Sequence, residues 1–127
     1  MIRVLIAEDL PALQRKYRRE LEGDAEIELV GCVQSGYEAV MQAAVTRPDV
    51  ILMDIEMETR TAGLDATRQI LEQFPATKII ILTVYEDDES VFNAFKLGVC
   101  DYVLKNSSHE ELVTCIRNAY GGCSPIR

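Results

Sequence analysis

Four unbroken apolar runs mark the chain. They are Ile2–Ala7, residues 49–54 (through Val50-Ile51-Leu52-Met53), Lys78–Thr83 (through Ile79-Ile80-Ile81-Leu82) and residues 101–105. Continuous, largely β-branched runs of this length predict strands buried on both faces, as in a parallel sheet covered by helices. A fifth run, Ile27–Val33, alternates more and reads as an edge strand. Helical patterns lie between the runs. The first opens near Pro11, a residue suited to a first helical turn, and carries Leu13, Tyr17 and Leu21 on one face with Arg15, Lys16, Arg18 and Arg19 on the other. The second opens at Ser35 with Glu38 three residues on, a capping-box pattern, and ends before Pro48. The third spans residues 64–74 and stops before Pro75; the fourth spans 88–97 and ends at Gly98. The fifth starts at Ser108, with Glu111 in the capping-box place, and stops at Gly121-Gly122. Strand and helix thus alternate five times, which predicts an open, doubly wound α/β sheet with right-handed crossovers.

In such a sheet, ligands bind outside the carboxyl ends of the strands. The first strand ends in Glu8-Asp9, the third in Asp54, the fourth in Thr83 and the fifth in Lys105. Taken singly, each has an ordinary explanation: a turn carboxylate, a β-favouring threonine, a surface lysine. Asp54 is the hardest to explain away, because it closes an apolar strand and burial without partners is costly. Agreement among four strand ends is what carries specificity. Crowded carboxylates repel, and one keeps a proton unless a cation sits among them. Oxygen ligands of this kind suit Mg²⁺, which keeps waters and bridges to phosphate. A lysine supplies a further point charge and a threonine hydroxyl a donor. The set fits phosphoryl transfer by positioning and charge neutralisation. With no glycine-rich phosphate loop, the expected acceptor is a carboxylate that forms an aspartyl phosphate.

Composition narrows the picture. The 127 residues make one domain, and 48% hydrophobic with 27% charged residues is globular rather than disordered. The net charge of −8 argues against this segment gripping a phosphate backbone itself. No apolar run is long enough for a bilayer span. Met1-Ile2-Arg3-Val4 lacks the layout of a signal peptide, so the Asn106-Ser107-Ser108 sequon reads as chance and a cytoplasmic location is expected. Cys32, Cys100, Cys115 and Cys123 show no C-x-x-C spacing, and His109 is the single histidine. Neither a zinc site nor a disulfide framework is expected; free thiols are.

At these residues the chain strongly resembles the receiver domain of two-component response regulators, over its whole length. The resemblance implies a flavodoxin-like (βα)5 sheet with strand order 2-1-3-4-5. It implies that Glu8 and Asp9 are the acidic pair serving Mg²⁺, with further ligands from Asp54 and from the backbone carbonyl of Glu56. It implies that Asp54 is the phosphoacceptor, that Thr83 and Lys105 bind the phosphoryl group, and that Tyr102 is the aromatic switch. The segments Lys105-Asn106-Ser107-Ser108 and Ala119-Tyr120-Gly121-Gly122 resemble the NarL/LuxR type. There a helix-turn-helix DNA-binding domain follows, so residues 1–122 read as receiver and 123–127 as the start of a linker. The implied partners are a sensor histidine kinase, a second copy on phosphorylation, and DNA only through the effector domain; no membrane is implied. The chain is expected to act as a signalling phosphoacceptor rather than an enzyme.

Two departures stand out. Glu58 follows Met57 where the family usually has proline, and Gly63 lies one residue later than usual, so the loop 58–62 is reshaped and longer. Asn106 stands where many relatives have proline. Neither removes a chemical group. Tyr85, two residues after Thr83, occupies a place that modulates dephosphorylation in the family, where its bulk is expected to slow water attack. The alternative reading is a pseudo-receiver or stand-alone interaction module that is not phosphorylated. A flavin binder is disfavoured by acidic Glu8-Asp9 after the first strand. A phosphohydrolase with an aspartate nucleophile ordinarily carries that residue after the first strand.

Overall fold

The structure, a computed structural model, describes residues 1–85 and 89–123. Its elements alternate as expected: β1 Ile2–Ala7, α1 Pro11–Glu22, β2 Ile27–Val33, α2 Gly36–Thr46, β3 Val50–Asp54, α3 Ala62–Gln73, β4 Lys78–Thr83, α4 Glu89–Leu97, β5 Asp101–Leu104 and α5 His109–Tyr120. All strand pairs are parallel and the order is β2-β1-β3-β4-β5. This is the doubly wound (βα)5 sheet, with β2 at one edge and β5 at the other.

Side chains alternate across each strand, and the central strands feed two cores. Val4, Ile6, Leu52, Ile80 and Leu82 pack against Tyr17 and Leu21 of α1 and Leu112 and Ile116 of α5. Leu5, Met53, Ile79 and Ile81 pack against Ala39 of α2, Ala66 and Ile70 of α3, and Val91 and Ala94 of α4. Burial on both faces explains why these strands read as unbroken apolar runs rather than alternating ones.

Caps fix the helix starts. Ser35 accepts the Glu38 N–H, and Ser108 with Glu111 completes a full capping box. Pro11 opens α1. Gly98 leaves α4 with φ +106°, a conformation that favours glycine. α3 begins two residues earlier than the apolar pattern suggests, because Gly63 packs onto the backbone of Asp54 and Ile55. The expected start of α4 at residue 88 lies outside the described residues, as does most of the expected linker.

The cysteine expectation is corrected. Cys100 and Cys123 form a disulfide, with Cα atoms 5.1 Å apart. Cys100 lies just before β5. α5 runs back along β5, and Gly121-Gly122, the latter at φ +121°, turns the chain so that Cys123 reaches it. This pairing across 23 residues follows from tertiary structure and has no local spacing signal. Cys32 and Cys115 remain thiols, and the buried Cys115 donates to Asp101 Oδ2 at 3.4 Å. Among the described residues, no helix is long and apolar enough to cross a membrane.

Candidate functional site

The carboxyl ends of β1, β3, β4 and β5 converge on one edge of the sheet. There they line an open cleft of about 870 Å³ with Asp9, Asp54, Glu56, Met57, Thr83, Tyr85 and Lys105 on its wall. Carboxylate oxygens of Glu8, Asp9 and Asp54 lie within 4.8 Å of one another. Glu8 is fully buried and Asp54 nearly so, whereas Asp9 is half-buried.

Each side chain is held by its surroundings. Glu8 Oε2 accepts the Leu10 N–H at 3.1 Å, and the Gln14 side-chain amide donates to the Glu8 carbonyl, so α1 anchors the acidic turn. Asp54 Oδ1 accepts the Ile55 N–H at 2.8 Å. The Lys105 N–H donates to the Thr83 carbonyl at 2.7 Å, which fixes the lysine one step beyond β5. Its ammonium reaches back to Asp54 Oδ1 at 3.0 Å and Glu8 Oε1 at 3.1 Å.

The electrostatics follow from burial. Desolvation, helped by the neighbouring Asp54 charge, pushes the Glu8 carboxyl up to about 7, against the Leu10 N–H and Lys105, which favour its ionised form. Desolvation likewise raises Asp54, offset in part by the adjacent Lys105 ammonium. Like charges that share a site favour a proton on one of them. Burial alone would lower Lys105, but the charges of Asp54 and Glu8 outweigh it and its pKa is raised. Lys105 thus pairs with two of the three clustered carboxyl groups, Asp54 and Glu8, and the acidic set has room for a further cation. All-oxygen donors beside an open cleft fit Mg²⁺.

Thr83 is buried at the cleft wall. Its hydroxyl donates to the Tyr85 carbonyl at 3.2 Å and accepts the Tyr85 N–H at 3.3 Å. Tyr85 itself is exposed. The Glu56 side chain is exposed and outside the carboxylate cluster, though Glu56 lines the cleft. Tyr102 is not brought to the carboxylates. It is half-buried on β5, with its ring edge-on to Phe95 of α4 at 6.3 Å.

The lengthened loop is anchored by Glu58, whose carboxylate accepts N–H groups of Gly36 and Tyr37 at 2.7 and 3.0 Å. Those two bonds at the α2 N-terminus outweigh desolvation and lower the Glu58 pKa. The sequence reading noted the loop but not this anchor, for which no local motif exists. Lys16, on the basic face of α1, brings its ammonium to the carbonyls of Lys105 and Ser107.

A parallel (βα)5 sheet carrying acidic groups, a threonine and a lysine at its strand ends defines a class of doubly wound α/β domains with a polar site at the carboxyl edge. Residues 4–117 match the response regulator receiver domain. The oxygen regulatory protein NreC of Staphylococcus epidermidis is 36% identical over 121 residues, covering 95% of this chain and 56% of that protein. A LuxR-family two-component response regulator from Aurantimonas sp. SI85-9A1 superposes with a TM-score of 0.87 at 30% identity, over 95% of this chain and 86% of that one. A LuxR-family DNA-binding response regulator from Staphylococcus aureus gives 0.86 at 28% identity, over 94% and 99%. The chain belongs to the response regulator receiver domains, in their NarL/LuxR type. It spans about half the length of the curated relatives it matches.

Proposed function

We propose that this domain accepts a phosphoryl group on Asp54 from the phosphohistidine of a sensor histidine kinase and uses it to shift its own conformation. The observation that supports this reading best is the buried Asp54 carboxylate, ion-paired to Lys105, at the floor of an open cleft. An Asp54 oxygen forms the new bond to phosphorus as the N–P bond breaks, and the imidazole leaves with the electron pair and gains a proton from solvent. Lys105 neutralises charge on the transferred group from a fixed position, with no reorganisation at the moment of transfer. The Asp9 and Asp54 carboxylates and the Glu56 carbonyl would hold Mg²⁺, with Glu8 acting on ligating water. Bound there, Mg²⁺ supplies charge neutralisation and a template for the phosphoryl oxygens.

Thr83 is the first responder in this scheme. Its hydroxyl exchanges its bonds with the Tyr85 backbone for a phosphoryl oxygen. The vacated space lets Tyr102 leave its edge-on packing on Phe95, which changes the face made by α4, β5 and α5 and favours dimerisation. Driving such a switch from 1:99 to 99:1 takes about 5.5 kcal/mol of differential stabilisation, for which new charge-assisted bonds from Thr83 and Lys105 are the source. The output is a helix-turn-helix DNA-binding domain following a receiver of residues 1–122, in a cytoplasmic regulator. Intact-mass measurement with acetyl phosphate tests the core of the proposal. One added phosphoryl group that needs both Mg²⁺ and Asp54, and is absent in Asp54→Asn, is the expected result. No adduct, together with no response of Thr83 or Tyr102 to beryllofluoride, would establish a pseudo-receiver instead.

A further inference from the structure

The basic stripe of α1 divides into two parts. Arg15, Arg18 and Arg19 face solvent. Lys16 does not: its side chain is 30% exposed and crosses the Tyr17 ring at 5.5 Å from the centroid. Its ammonium donates to the carbonyl of Lys105 at 3.1 Å and to that of Ser107 at 3.4 Å. Glu20, one turn on, steadies it from 4.0 Å.

We infer that Lys16 is a positioning residue for Lys105, pinning the turn after β5 from α1 so that the Lys105 ammonium stays between Glu8 and Asp54. The turn needs such a pin. Asn106 has no ring to hold φ near −65° as a proline would. The backbone bonds into it come from its two ends, Lys105 N–H to Thr83 and Ser107 N–H to Leu104. A cation that gathers two carbonyls forms charge-assisted bonds stronger than neutral ones. It acts on the backbone of the very residue whose side chain crosses the site. The two lysines therefore work in series: Lys16 sets where the Lys105 backbone sits, and that sets the reach of its ammonium to Asp54.

The functional consequence rests on the phosphoacceptor reading; the positioning itself does not. The test compares wild type, Lys16→Met and Lys16→Arg in the full chain. The first readout is acetylation of individual lysine amines by an N-hydroxysuccinimide ester, without Mg²⁺ or phosphodonor, resolved by peptide mass spectrometry. Lys105 should label about tenfold faster in Lys16→Met, the scale of a lost charge-assisted hydrogen bond, and near the wild-type rate in Lys16→Arg. Exposed Lys96 serves as the reference and should not change. The second readout separates two affinities. Beryllofluoride, which engages Lys105, should bind about tenfold more weakly to Lys16→Met, by the same bond loss, while Mg²⁺ alone, with which the ammonium competes for Asp54 and Glu8, should bind no more weakly. Unchanged Lys105 labelling, failure of arginine to rescue, or equal acceleration at Lys96 overturns the inference. A wild type that binds neither beryllofluoride nor phosphoryl overturns the phosphoacceptor reading instead, and the labelling comparison still decides the role of Lys16.

Discussion

Lys105 is outnumbered at the floor of the cleft, and the imbalance gives Lys105 and its buried partner Asp54 opposite mutational signs. Its ammonium is the cation within 3.1 Å of both Glu8 and Asp54. Removing one partner of a buried ionic network strands the charges left behind, at a cost of about 3–5 kcal/mol. Lys105→Met should therefore lower stability in Mg²⁺-free urea unfolding by about 3 kcal/mol, the low end because one carboxyl takes up a proton. Asp54→Asn does the reverse. It deletes a desolvated charge that also repels Glu8, so the metal-free midpoint should rise. If both variants shift the midpoint in the same direction, the site is not the charge-frustrated cluster described above. Such frustration marks a functional site in physical terms, since a core selected for stability alone would not bury these groups together.

At the scale of elements, the site depends on the α3 start pressed against the end of β3 and on the α2 start pressed against the α3 start. A Cβ on Gly63 would meet the Asp54 carbonyl at 1.9 Å, and one on Gly36 would meet the Ala62 carbonyl at 2.6 Å. Both obstacles are backbone and cannot swing aside. Gly63→Ala should cost about 3 kcal/mol or more, the upper range of overpacking. It should weaken Mg²⁺ binding as well, because the displaced backbone is that of Asp54. Ser108→Ala makes a useful contrast. Losing that cap should cost about 1 kcal/mol and leave Mg²⁺ binding alone. Equal effects of the two variants on the metal midpoint would argue that the site is insensitive to its backbone frame. The same elements show what a sequence can reveal. Ser35, Ser108, Pro11 and Gly98 act through local geometry, so their signals sit within a few residues and the helices were legible. The strand ends were legible too, because a parallel sheet brings Glu8, Asp9, Asp54, Thr83 and Lys105 to one edge by topology alone. Glu58 on the α2 N-terminus, Lys16 beneath the Lys105 turn and Cys123 on Cys100 bridge residues 21 or more apart in sequence. Such contacts depend on loop paths that no periodicity encodes.

For the whole molecule, the buried acidic pair couples folding to pH and to metal. Glu8 titrates near 7 when folded, against about 4.5 ordinarily, with burial as the main cause. The folded state thus holds a proton that the unfolded chain releases, and stability falls wherever the folded state binds more protons. The contribution is complete below about 4.5 and is lost as pH rises through about 7. Asp54, also raised by burial, adds to the loss in the same direction. Glu58, whose pKa is lowered, acts oppositely: its contribution is present above the ordinary carboxylate value and disappears on acidification. Lys105, raised above 10.5, stays charged throughout this interval and adds no slope. Between pH 5.5 and 7.5 the Glu8 and Asp54 effect should dominate in metal-free protein, so the unfolding temperature should fall. Bound Mg²⁺ competes with the same proton, so its affinity should rise over that interval. Saturating metal then adds stability by mass action, and adds more at the higher pH, flattening or reversing the slope. Thermal unfolding at four pH values, with and without Mg²⁺, measures both slopes. Glu8→Gln should remove most of the metal-free slope, since its amide carries no titrating proton. A slope that survives that substitution unchanged would place the pH response elsewhere in the molecule, and with it the linkage between folding and this site.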